Sequence, residues 1–128
     1  MALVLTDIGI GLLTNRINGA GTAIVYIGWG TGAGTARTTD TTLFTEAAGG
    51  GYARALGVAS RVTTSIAFDT YRVVGSLTAG SLITVTNWGL FDALTNGNMM
   101  IKEDFAAAYV IQATGTLSFQ ISLQLKRL

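Results

Sequence analysis

Carboxylates come first, because two of them at the right separation hydrolyse glycosidic bonds. The chain holds Asp7, Asp40, Glu46, Asp69, Asp92, Glu103 and Asp104. Only Glu103 and Asp104 are adjacent, and adjacent residues of a strand point to opposite faces. They read as charges that punctuate strand ends. The chain contains no His and no Cys. Ser–His and Cys–His nucleophile pairs are thereby ruled out, as are disulfides and zinc sites built on those ligands. Lys102 and Lys126 have no motif serine nearby for a Ser–Lys pair. No EF-hand spacing exists, so only a weak calcium site among Asp side chains and loop carbonyls stays open. No catalytic residue, cofactor or metal is assigned, and the chain is expected not to be an enzyme.

Residues 28–34 read GWGTGAG, which invites a phosphate-loop interpretation. The Lys-Ser/Thr pair and the downstream acid of phosphate-binding motifs are missing. Glycine also permits tight turning and close backbone approach around Trp29, and that reading is preferred. Trp29, Trp88, Phe91 and Tyr109 could stack on a sugar or on single-stranded nucleic acid. Basic residues do not interleave with them, so they are read as core aromatics. A carbohydrate-binding sandwich module is retained as an alternative of another class.

Charged residues make up 12% of the chain and the net charge is +1. Arg16, Arg37, Arg54, Arg61 and Arg72 are scattered singly, so no basic stripe marks a nucleic-acid partner. Apolar residues reach 49% and the mean hydropathy is +0.49. With so few charges, some exposed surface must be apolar or Thr/Ser/Gly-like, and such surface marks an interface. No apolar run approaches the ~20 residues of a membrane helix. The start, MALVLTDIGIGLL, lacks the basic residues and cleavage site of a secretory signal. Neither a membrane partner nor export is expected.

The elements that carry these residues follow from pattern. Over residues 2–17, Leu5, Ile8, Leu12 and Leu13 fit one helix face, with Thr6 or Asp7 as N-cap and Asn18-Gly19 as the stop. An extended arm docking on a neighbour is the other reading. Residues 22–29 read as a strand running into a glycine loop. Asp40 is expected to cap a helical turn with Leu43 and Phe44 inward and Glu46 at its end. Gly49-Gly50-Gly51 reads as a flexible or bent segment. Two strands follow from Tyr52, with a bend near Asp69-Thr70 and a turn at Ala79-Gly80. A third runs through Leu82, Val85 and Trp88. Asn96-Gly97 has the residues of a two-residue type I′ hairpin, with MMIKEDF returning. Finally Leu117, Phe119, Ile121, Leu123 and Leu125 alternate with Ser118, Gln120, Ser122 and Gln124. That period of two buries one face and leaves the other polar and uncharged. The fold class is mainly all-β: one domain over 1–128, with an N-terminal helix or arm (1–20) and an antiparallel, jelly-roll-like β-sandwich (21–128).

Two stretches carry a resemblance. They are IGWGTGAGTARTTDTTLFTEA (27–47) and DTYRVVGSLTAGSLITVTNWGLFDALTNGNMMIKEDF (69–105). Their order resembles small virion proteins of tailed bacteriophages, of the head-decoration or the tail-fibre-associated β-domain type. The resemblance implies a non-catalytic particle component, located in the virion and assembled in the host cytoplasm. It implies the major capsid protein as partner and self-association as a homotrimer. A chain from Met1 to Leu128 is expected to be a whole protein, which favours a capsid cement subunit. A tail-fibre, tail or baseplate component is the alternative. Interface residues are expected on the N-terminal segment (Leu5, Ile8, Leu12), the glycine loop (Trp29, Gly30, Gly32) and the polar face of the last strand (Ser118, Gln120, Ser122, Gln124).

Overall fold

A computed structural model describes residues 2–48 and 52–127. It contains eight strands and one helix in two antiparallel sheets, the all-β sandwich with a short N-terminal helix that the patterns predict. The strands are β1 (Ala2–Leu5), β2 (Tyr26–Gly30), β3 (Ala55–Leu56), β4 (Val58–Val62), β5 (Thr70–Thr78), β6 (Ile83–Phe91), β7 (Met99–Ile111) and β8 (Thr116–Gln124). The helix α1 spans Asp7–Ile17. The larger sheet has the order β1-β7-β6-β2-β3, and the smaller has β4-β5-β8.

Thr6 explains where the helix starts. Its hydroxyl accepts the Gly9 N–H at 2.9 Å, as an N-cap does, and donates to the Met99 carbonyl at 2.6 Å. The same residue thus caps α1 and ties it to β7. Asn18 closes the helix and Gly19 follows at φ +80°, the expected stop. Leu5 departs from expectation: it belongs to β1, paired with Ile101, not to the helix face. The four apolar residues before the cap add an edge strand to β7 because β7 offers an unpaired edge there.

The glycine run also differs. Gly28 and Gly30 lie inside β2, paired with Gly89 and Asn87, and the loop begins only at Thr31. No helical turn forms at Asp40; the segment instead runs back along β2 so that Glu46 bridges Gly30. The segment Gly49-Gly50-Gly51 lies outside the described residues. The strand expected after Tyr52 breaks at Gly57, and its halves join different sheets. A Cβ there would fall 2.4 Å from Val73 Cγ1, so only glycine lets the chain cross between the sheets at this point. Asn96 and Gly97 both take positive φ, as a type I′ turn requires, but the β6–β7 loop runs from Asp92 to Asn98. The Asp92 carboxylate accepts the Asn98 N–H at 2.7 Å and closes this longer loop.

The core lies between the sheets. Ile27, Trp29, Val85, Trp88 and Leu90 of the larger sheet meet Val73, Leu77, Phe119 and Ile121 of the smaller. Trp88 and Phe119 pack with ring centroids 5.9 Å apart across the interior. Burying each such side chain stabilises the fold by about 1.5–3 kcal/mol. The alternation of β8 holds: Phe119 and Ile121 are buried while Ser118, Gln120 and Ser122 are exposed.

Candidate functional site

Asp40, Glu46, Lys102 and Asp104, among the polar residues that the sequence offers for chemistry, pin the 31–48 segment onto the larger sheet. Lys102 on β7 is 0% exposed. Its Nζ donates to Asp40 Oδ2 at 3.0 Å and to the Thr42 carbonyl at 2.8 Å, and lies 3.3 Å from the Phe44 ring centroid. Desolvation pushes the Asp40 carboxyl up, but the Arg37 N–H and the Lys102 ammonium outweigh it and hold it below the usual aspartate range. Asp104 Oδ1 accepts the Ala36 N–H at 2.8 Å. Arg54 forms a bidentate pair with Glu46 at 2.7 and 2.9 Å. It also donates to the Ala93 and Asn96 carbonyls and lies over the Phe91 ring at 3.4 Å. Glu103 and Asp104 do part to opposite faces: Asp104 points to the 31–48 segment, while Glu103 accepts the Trp88 indole N–H at 3.1 Å.

The glycine loop is therefore not an anion cradle. The Thr31 and Gly32 N–H groups donate to the Thr45 and Phe44 carbonyls at 3.0 and 2.9 Å, so neither is left for a phosphate. A stacking platform fails on burial: Trp29, Trp88 and Phe91 are core residues, and of the four aromatics only Tyr109 is exposed, at 51%. Its ring instead stacks edge-on against Phe105 at 4.7 Å.

The expected interface residues divide in the same way. Trp29 is fully buried, its indole donating to the Tyr52 carbonyl at 3.2 Å, and Gly30 is buried beside it. Trp29 points into the core between the sheets and Gly30 lies beneath Phe44 of the returning 31–48 segment, so neither presents surface. Gly32 is half-buried, as are Leu5 and Leu12, which pack against the core. Ile8 is exposed on α1. Ser118, Gln120 and Ser122 form an exposed uncharged row on β8, and half-buried Gln124 donates to Asp69 at 2.8 Å. Opposite them on β5 lie Ser76, Val74 and Arg72, so the outer face of the small sheet combines hydroxyls and amides with the Arg72 guanidinium and the exposed Val74 and Val58.

Sequence reasoning missed one feature. The two sheets are joined at one side by the continuous β3–Gly57–β4 segment, while at the other side β1 and β8 are both unpaired edges. A groove of about 430 Å³ opens between them, floored by Trp88, Ile101 and Ile121, with Leu5 on one rim and Glu103 inside. The signal was present: two uncharged segments, ALVL and TLSFQISLQ, lacking the Lys, Pro or bulge that normally protects an edge.

Residues 13–125 match the family model described as podophage GP4 fiber I protein gp80. The chain belongs to this family. No curated protein and no solved structure matches it. The match covers α1 from Leu13 onward and every strand except β1. Membership of the gp80 family makes the chain a small phage virion structural protein, tail-fibre-associated. Of the two virion types that the resemblance implied, this is the fibre type, so the tail-fibre alternative fits better than the head-decoration reading.

Proposed function

We propose that this chain is a non-enzymatic building unit of a podophage fibre, working by packing against neighbouring virion polypeptides. The match of residues 13–125 to the gp80 fibre family carries the reading. The sandwich supports it, since Lys102, Asp40, Asp104, Arg54 and Glu46 are engaged in holding the 31–48 segment in place. The exposed row on β8 has no charge to strand on burial in an interface. The partners proposed are other fibre polypeptides and further copies of this chain, a homotrimer among the arrangements, joined in the host cytoplasm before particle release. The major capsid protein becomes the secondary choice of partner.

Gold-labelled antibody against the chain, imaged by electron microscopy on purified particles, tests this. Label confined to fibres is expected. Label distributed over the head would overturn the fibre reading in favour of head decoration.

A further inference from the structure

Two rows of side chains cross the inner face of the larger sheet and stop at β1. One runs Trp29, Trp88, Glu103, Leu3 and the other Ile27, Leu90, Ile101, Leu5, each residue paired with the next across β2, β6, β7 and β1. The second row is apolar throughout. The first is broken by a carboxylate. Glu103 accepts the Trp88 indole N–H at 3.1 Å, and among the described residues no cation pairs with it. Both rows end at the groove, where Leu3 is 57% exposed and Ile121 and Leu123 of β8 form the far wall. Among the described residues β1 has no strand on its outer side, so its outer backbone groups lack a ladder partner.

An extended segment laid along β1 would continue both rows, by the strand addition that an exposed sheet edge permits. Every pairing in both sheets is antiparallel. An antiparallel segment meets Leu5 first and Leu3 two residues later, with both positions on its inner face. The residue beside Leu5 extends the apolar row toward Ile121 and Leu123, so it is apolar. The residue beside Leu3 stands two strand spacings from Glu103, about 10 Å. A lysine or arginine there spans the distance, its stem lying over Leu3 and its charge at the carboxylate. A neutral residue would instead cover the carboxylate without pairing it, which is costly once water is excluded.

We propose that the β1 edge of the groove takes a strand of a neighbouring fibre polypeptide that carries an apolar residue and, two positions later, a lysine or arginine. Charge complementarity to Glu103 selects the cation, and the apolar row selects its companion. The chain's own strand cations Arg61, Arg72 and Lys102 lie on β4, β5 and β7, each already paired within its sheet, which favours a different polypeptide as the donor. The proposal rests on the fibre reading for where that neighbour is found and deepens it by giving the neighbour's chemistry. A peptide test does not depend on where the chain sits in the particle, so the two readings fail separately.

The probe is a fluorescein-capped peptide of about seven residues, with threonine at alternate positions and valine, leucine and arginine between them in that order. Anisotropy during titration with the full chain is expected to show binding, and hydrogen exchange to slow at amides of β1 and β8. Replacing the probe's arginine by glutamate should weaken binding about tenfold or more. Glu103→Gln, which keeps an acceptor for the Trp88 indole, should remove most of that preference. Glu103→Arg should reverse it in favour of the glutamate probe, which no loss of folding would mimic. Absence of binding, binding indifferent to the arginine, or protection confined to other strands would overturn the proposal. Sedimentation of the chain alone reads the other occupant: self-association that Glu103→Arg abolishes would overturn it in favour of a contact between copies.

Discussion

Asn87 on β6 and Phe44 in the 31–48 segment hold one another through two hydrogen bonds. The Phe44 N–H donates to Asn87 Oδ1 at 3.0 Å, and Asn87 Nδ2 donates to the Phe44 carbonyl at 3.1 Å. A fully buried amide thus stands in for the neighbouring strand that the segment lacks. Asn87→Leu should destabilise the chain by about 1–3 kcal/mol in urea unfolding, because it orphans the Phe44 N–H. The Phe44 carbonyl keeps the Gly32 N–H, so only one group is stranded.

The buried ammonium of Lys102 gives a second test. Asp40→Asn removes the carboxylate of its ion pair and should cost about 3 kcal/mol. Adding Lys102→Met to the same chain removes the uncompensated charge and should recover most of that loss. Thermal unfolding of the single and double variants measures the difference; a double variant no more stable than the single would contradict this account.

Two glycines of α1 should respond with opposite sign to the same substitution. Gly9 lies flat on β7, where an added Cβ would stand 2.4 Å from the Met100 carbonyl oxygen. Gly9→Ala should cost about 1–3 kcal/mol through forced separation of helix and sheet. Gly11 faces open space, and Gly11→Ala should stabilise the helix by about 1 kcal/mol. Paired denaturation curves decide it.

Asp69 predicts an acid limb. Desolvation raises its carboxyl, but the Thr64 and Ile66 N–H groups, the Gln124 amide and the Ser65 N–H outweigh this and hold it well below the usual range. A depressed folded value contributes stability that is present above the ordinary aspartate value of about 4 and is lost as pH falls below it. Asp69→Asn should therefore flatten the dependence of unfolding midpoint on pH below about pH 4, leaving the slope above that value unchanged. An equally steep acid limb in the variant would sink the assignment.

The sequence by itself determined what local chemistry controls. The period of two over residues 117–125 specified β8 and its faces, because a strand's side chains alternate regardless of what they pack on. Thr6 and Asn18-Gly19 bounded the helix, because caps satisfy backbone groups within a few residues. The absence of His and Cys bounded the chemistry, and the order of the GWGTG and GLFDA stretches pointed to phage virion proteins. Tertiary structure decided the rest. ALVL became a strand, not a helical turn, because β7, about a hundred residues away, offered it an edge. Gly28 and Gly30 entered β2 because the 31–48 segment folds back over them. Trp29 left the candidate surface for the core because the smaller sheet packs against the other face of β2. The charges of Asp40, Asp104 and Lys102 became rivets only once distant segments met. The open seam belongs to no single segment, since it exists only where the first strand and the last come to face each other.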